Sequence, residues 1–285
     1  MKFTDALKIY PQHILPHHAL SAIMYAATRS NSTLFKNFVI RQVIKHYKVD
    51  MSDTLVTDYR DFQTFNHFFT RALKPNARPI CSEPNSIACP VDGAVSQIGE
   101  IENNQIFQAK GHSYSLQTLL GNDESCEDFR DGAFATLYLS PRDYHRIHSP
   151  LNAKLIKMIH VPGKLFSVNS VTTQYVPELF ARNERVVCLF KTSAGPMAVI
   201  LVGAIFVSSI ETTWAGTITP PNGKHIQNWD YSKAAINLNK GGELGRFNMG
   251  STAILLFPKN TIEWQSELKA ESKIQMGQCL GKITH

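Results

Sequence analysis

Hydrophobic and polar positions follow two regimes along the chain. Over the first fifty residues the apolar side chains recur at helical spacing. Leu20, Ile23, Met24 and Ala27 mark a helix over 19–28. Leu34, Phe35, Phe38, Val39, Val43, Ile44 and Tyr47 mark a second, which Asn31 or Ser32 is placed to cap and which runs to about Tyr47. Lys36, Arg41, Lys45 and Lys48 fall mostly off that apolar face. Beyond residue 85 the period shortens and β-branched runs appear. Segments 96–101, 134–139, 153–159, 186–190, 197–207 and 253–257 read as strands. Asp92-Gly93, Asp131-Gly132 and Pro162-Gly163 read as turns, and only short helices such as 116–120 fit between. The pattern predicts an α+β protein, with N-terminal helices packed on a mainly antiparallel β-sheet or sandwich core. Residues 218–243, rich in Pro, Gly, Asn and Lys, read as a long mobile loop. The four glycines of 240–250 suggest a segment built to flex.

Composition sharpens this picture in three ways. The longest apolar run, 197–207, is broken only by Gly203 and is too short to span a bilayer. The N-terminal residues lack the apolar stretch and small-residue cleavage site of a secretory signal. The five cysteines are odd in number and form no C-x-x-C pair, so they read as reduced thiols rather than a disulfide frame or a zinc site. Charge changes the picture most. The formal net charge is +6, and the excess of bases lies in residues 1–48, where Asp5 is the lone acid. A basic charge confined to one amphipathic end has two readings. One is a helical hairpin packed on its own core. The other is a helix pair lying in a membrane interface, with apolar faces in lipid and bases on anionic headgroups. The local charge excess favours the second, so residues 1–60 are expected to be a basic, membrane-associating helical region and 61–285 a β-rich catalytic domain.

Three stretches could carry chemistry. Pro90-Val91-Asp92-Gly93 reads as a turn. The loop 139–150 brings His145 and His148 together between prolines, but no third ligand is evident for a metal. Gly250-Ser251-Thr252 stands at the mouth of an apolar strand. Ser251, His148 and Asp92 are the residue types of a nucleophile, a base and an orienting group, although spacing alone does not bring them together. Ser251 lacks the G-x-S-x-G elbow of an α/β-hydrolase, and no P-loop or dinucleotide fingerprint is present. These residues alone fit a self-processing enzyme, a serine hydrolase using Ser251, His148 and Asp92, or a non-enzymatic lipid-binding module.

Several ordered stretches resemble the bacterial phosphatidylserine decarboxylases nearly end to end. They include Phe65-Asn-His-Phe-Phe-Thr-Arg71, Pro90-Val-Asp-Gly93, the 139–150 loop, Val161-Pro-Gly-Lys-Leu-Phe-Ser-Val-Asn169 and Gly245-Arg-Phe-Asn-Met-Gly-Ser-Thr252. One departure is Met249, where the family commonly has Leu; the swap keeps an unbranched apolar side chain of similar volume. The resemblance implies a proenzyme that cuts itself between Gly250 and Ser251 into a β chain, 1–250, and an α chain, 251–285. It implies His148 as base, Asp92 orienting His148, and conversion of Ser251 into a covalent pyruvoyl group. That group would form a Schiff base with phosphatidylserine and release carbon dioxide and phosphatidylethanolamine. His145 or His148 would return a proton to the product. Phe166, after the Pro162-Gly163 turn, reads equally as a lipid contact or as core. The implied partners are phosphatidylserine in an anionic membrane surface and the chain's own two fragments, with a higher homo-oligomer open. No nucleic acid or metal is expected. The implied location is peripheral, on the cytoplasmic face of the bacterial inner membrane. Pyruvoyl enzymes acting on free amino acids are a nearer alternative, but a soluble substrate would leave the basic N-terminus unexplained.

Overall fold

The computed structural model describes residues 3–205, 209–219 and 223–284. Three helices open the chain: α1 (Phe3–Ile14), α2 (His17–Thr28) and α3 (Thr33–Tyr47), followed by a short α4 (Phe65–Phe69). The second and third match the sequence reading, with Ser32 at the N-cap position of α3. The first was not legible, because Pro11 stands inside it. The apolar stripe of α3 is divided between two environments. Ile40 is fully buried, whereas Leu34 and Phe38 face solvent. Ile40 joins Phe62, Phe65, Phe68 and Phe69 in a small satellite core beside α4, and Met249 packs against it. Lys36 is buried, with its ammonium donating to Arg60 O at 2.7 Å.

The principal strands are β1 (Gly93–Glu100), β2 (Ala133–Leu139), β3 (Arg146–His148), β4 (Ala153–Val161), β5 (Arg185–Thr192), β6 (Gly195–Val202), β7 (Ile210–Thr212), β8 (Glu243–Phe247) and β9 (Ser251–Phe257). Among the described residues the main sheet runs in the order Gln227–Asp230, β4, β5, β6, β9, β2, β1, Lys273–Ile274, and its pairings are antiparallel. A smaller sheet runs Gly216–Thr219, β7, β8, β3. The α+β architecture is therefore as expected. β9 sits centrally, paired with β2 on one side and β6 on the other. All seven of its residues are buried, which explains why it reads as a continuous apolar run rather than an alternating one. Ile254, Leu255, Leu256 and Phe257 are fully covered, each contributing roughly 1.5–3 kcal/mol of burial.

Three expectations need correction. First, Asp92-Gly93 is a bend entering β1, not a hairpin turn. A Cβ on Gly93 would stand 2.1 Å from Tyr138 O, so glycine is needed for close approach of β1 to β2. Second, much of 218–243 is tied down. Gln227–Asp230 and Asn237–Leu238 both pair with β4. Third, Gly245 in the segment before Ser251 serves close packing rather than flexing. A Cβ on Gly245 would lie 2.2 Å from Glu211 O. Of the predicted strand 197–207, β6 covers the first part; residues 206 and 207 lie outside the described residues, as do 220–222 of the loop.

Candidate active site

Ser251 is the first residue of β9, paired with Leu139 at the end of β2. It is fully buried, and its Oγ has no hydrogen-bond partner among the described residues; the same holds for Thr252 Oγ1. A buried hydroxyl left without a partner costs about 1–3 kcal/mol, so its presence asks for a reason beyond packing. Gly250 has an unremarkable backbone: a Cβ there would meet only Leu139 O at 4.0 Å. The unusual conformation falls one residue earlier, on Met249, whose φ is 154°. Gly250 is therefore not demanded by a conformation closed to other residues. Its lack of a side chain leaves open space beside Ser251.

The loop between β2 and β3 carries His145, and His148 ends β3. His148 is buried in β3. Its Nδ1 lies 2.8 Å from Gly241 O, which can only accept, so Nδ1 carries the proton. Its Nε2 then accepts from the Tyr144 hydroxyl at 2.9 Å. Burial lowers the His148 pKa, while Glu243 and Asp92 lie close enough to raise it. Asp92 has other partners. Arg78 grips its carboxylate from Nε at 3.0 Å and Nη2 at 2.7 Å, and Met276 N–H donates to Oδ1 at 2.8 Å. Among the described residues no hydrogen bond joins Asp92 to His148 or Ser251 Oγ to either. The orienting contact expected from Asp92 is made by the Gly241 carbonyl, because Arg78 takes up the carboxylate. Tyr144, Gly241 and Arg78 are the residues that sequence reasoning missed. Tyr144 lay inside the 139–150 stretch, but nothing in its spacing distinguished it.

His145 is fully buried against Phe69, with ring centroids 4.1 Å apart. Its Nδ1 donates to Asp143 O at 2.8 Å, which leaves Nε2 as a bare acceptor without a partner among the described residues. Burial pushes its pKa down to about 3. The folded state thus binds this proton less readily than the unfolded chain. The stability it contributes is fully present above about pH 6.5 and is lost as pH falls towards 3. In an unsplit Ser251→Ala background, this residue is expected to remove about 2 kcal/mol between about pH 7 and about pH 5. Thermal unfolding of His145→Phe across that range should show a correspondingly flatter profile; an unchanged slope would rule the assignment out.

Two cavities flank this loop. One, of about 620 Å³, is polar and is lined by Asp92, Arg71, Arg78, Arg142 and Tyr144. The other, of about 470 Å³, is lined mainly by apolar groups: Val43 and Tyr47 of α3, Phe65 and Phe69 of α4, Pro141, and the Met249-Gly250 segment. Ser167, Val168 and Asn169 also wall the second cavity. Phe166 does not. It is buried in the main core, between the rings of His13 and His17 with Arg182 over its face. Of its two readings, core is the one that describes it. No group of His, Cys, Asp and Glu suited to a metal ion occurs among the described residues.

Comparison with known proteins points in one direction. A family model described as phosphatidylserine decarboxylase matches residues 65–282, and a second, described as PSD, matches 7–48. A phosphatidylserine decarboxylase proenzyme of Pseudomonas aeruginosa is 54% identical over 284 residues, spanning 98% of each chain. Proteins of the same description from Methylococcus capsulatus and Idiomarina loihiensis are 52% and 51% identical, covering 95% and 99% of this chain and 94% and 98% of their own.

Proposed function

The chain belongs to the phosphatidylserine decarboxylase family and decarboxylates phosphatidylserine, and from that premise we propose that it is made as a proenzyme that cuts itself between Gly250 and Ser251. The observation that carries this reading is the buried, unpartnered Ser251 Oγ at the head of a central strand, directly after a glycine with no side chain. In the first step Ser251 Oγ attacks the Gly250 carbonyl carbon and displaces the Ser251 nitrogen, turning an amide into an ester. His148 is the base for the hydroxyl proton. Its Nδ1–H is committed to Gly241, so Nε2 must release Tyr144 to accept it. Asp92 supports this at a distance, since its charge raises the affinity of His148 for a proton. Removal of the Ser251 α-proton then expels the Gly250 carboxylate by β-elimination. Water replaces ammonia at the remaining enamine, leaving a pyruvoyl group at the start of the α chain. The pairing of β9 with β2 and β6 supports retention of that chain, 251–285, by the β chain, 1–250.

The pyruvoyl group supplies an electron sink for departure of the substrate carboxylate. The chain's own residues do the rest. The apolar cavity beside Gly250 gives a low-polarity setting for loss of the carboxylate. His145, buried behind Phe69, carries a bare Nε2 at neutral pH, so to return a proton to the product it must first take one up. The membrane surface enters through α1–α3. Leu7, Tyr10, Ile14, Ile23, Leu34 and Phe38 are exposed apolar side chains on a basic segment, which suits an anionic lipid interface. Among the described residues no helix is long and apolar enough to cross a membrane, so the reading is peripheral association, on the cytoplasmic face of the inner membrane. Intact mass under denaturing conditions tests the chemistry. We expect two chains, with the smaller starting at position 251 and lighter by one ammonia than hydrolysis would leave it. A single chain that stays whole on prolonged incubation would overturn the reading.

A further inference from the structure

The loop that walls the Gly250 cavity has an unusual mode of support. Leu165, Phe166 and Ser167 have consecutive backbone N–H groups, and all three donate to side chains rather than to a strand partner. Leu165 N–H donates to His17 Nδ1 at 3.1 Å, Phe166 N–H to Asn183 Oδ1 at 3.0 Å, and Ser167 N–H to Gln12 Oε1 at 2.8 Å. Two of these three acceptors come from the N-terminal helices. His18 adds a contact from Nε2 to Gly163 O at 3.0 Å, and Gln12 Nε2 reaches Thr172 Oγ1 at 3.5 Å. Buried N–H groups need partners, so this loop keeps its shape only while α1 and α2 stay seated.

The face of α1 that does this is not the face offered to lipid. Gln12 and Ile9 are buried, whereas Leu7, Tyr10 and Ile14 are exposed along another side of the same helix. One helix thus carries an apolar stripe outward and a loop anchor inward. Seating of the stripe on a bilayer and placement of Ser167, Val168 and Asn169 around the cavity are then coupled through a rigid element.

We infer that Gln12 is a positioning residue for decarboxylation: its Oε1 fixes Ser167 and with it the wall of the cavity that receives the lipid headgroup. The inference rests on the reading that phosphatidylserine reaches the cavity beside Gly250 from the bilayer.

The test uses the full chain as wild type, Gln12→Met and Gln12→Glu. Methionine keeps the volume and removes the acceptor; glutamate keeps the acceptor. Each protein is assayed on mixed phosphatidylcholine–phosphatidylserine vesicles, with chain splitting read by intact mass and vesicle binding by sedimentation. Gln12→Met is expected to split fully and sediment like wild type. Its KM should rise about tenfold with kcat within about twofold, the factor that one lost buried hydrogen bond corresponds to. Gln12→Glu should recover most of the KM. Unchanged kinetics in Gln12→Met would overturn the inference, and so would a Gln12→Glu variant no better than Gln12→Met. A wild-type chain that fails to split would instead condemn the Ser251 chemistry, whatever the Gln12 variants do.

Discussion

Replacement of Ser251 by alanine is expected to yield one unsplit chain whose decarboxylase activity is down by at least about 10⁴-fold, because nucleophile and cofactor precursor are lost together. The fold should survive intact. Ser251 Oγ has no partner, so its removal breaks no hydrogen bond and relieves the desolvation of a buried hydroxyl, of order 1–3 kcal/mol. Its Cβ and its pairing with Leu139 are retained. The variant should therefore melt no lower than freshly made, unsplit wild-type precursor. Intact mass, release of carbon dioxide from phosphatidylserine, and thermal unfolding together check this. Splitting or turnover in Ser251→Ala would exclude Ser251 as the source of the pyruvoyl group.

The second large effect is expected at Asp92, and it has two parts that must be separated. Asp92 and Arg78 are both largely buried, with side-chain exposures of 10% and 12%. Asp92→Ala leaves Arg78 without its bidentate partner and Met276 N–H without an acceptor, and should cost about 3–5 kcal/mol of stability. Asp53, which also contacts Arg78, is half-exposed and offers little compensation. Loss of splitting in this variant would therefore be ambiguous by itself. The double variant Asp92→Ala with Arg78→Met removes the orphaned charge. We expect it to recover at least about half of the lost stability, since removing both partners avoids an unpaired buried charge. Splitting should remain slow, because the charge supporting His148 is still missing. Full recovery of splitting in the double variant would show that Asp92 acts only as a structural partner of Arg78.

These expectations depend on contacts that the sequence does not display. Helical periodicity located α2 and α3, and β-branched runs located β1, β2, β4, β5, β6 and β9 to within a few residues. Those signals are local: a side chain's neighbour three or four positions away decides them. α1 escaped because Pro11 reads as a helix breaker, and the order of 227–238 escaped because its partner, β4, lies some seventy residues earlier. The site divides the same way. Asp92, His148 and Ser251 came from resemblance in motif. What each side chain bonds to did not: Gly241 and Arg78 are set by long-range packing, and Tyr144 is set apart from other tyrosines only by the ring it faces. Phe166 shows the converse limit, since an apolar residue beside a turn looks the same from sequence whether it faces lipid or core.

The central position of β9 has a consequence for the life history of the molecule. The proposed cut at Gly250 would open the backbone at the entry to an inner strand. The fragments 1–250 and 251–285 would then be held together without a covalent bond, by the ladders of β9 to β2 and β6, by the pairing of Lys273–Ile274 with β1 and of Cys279–Ile283 with Ser86–Ala88, and by side-chain burial. Unfolding would release them as two molecules, and reassembly would depend on their concentration rather than on loop closure within one chain. On that proposal, the peptide bond that leads into β9 would be the one consumed to activate the enzyme. A protein so cut would be lost by unfolding and not readily remade, and its working lifetime would be governed by the rate of opening rather than by an equilibrium.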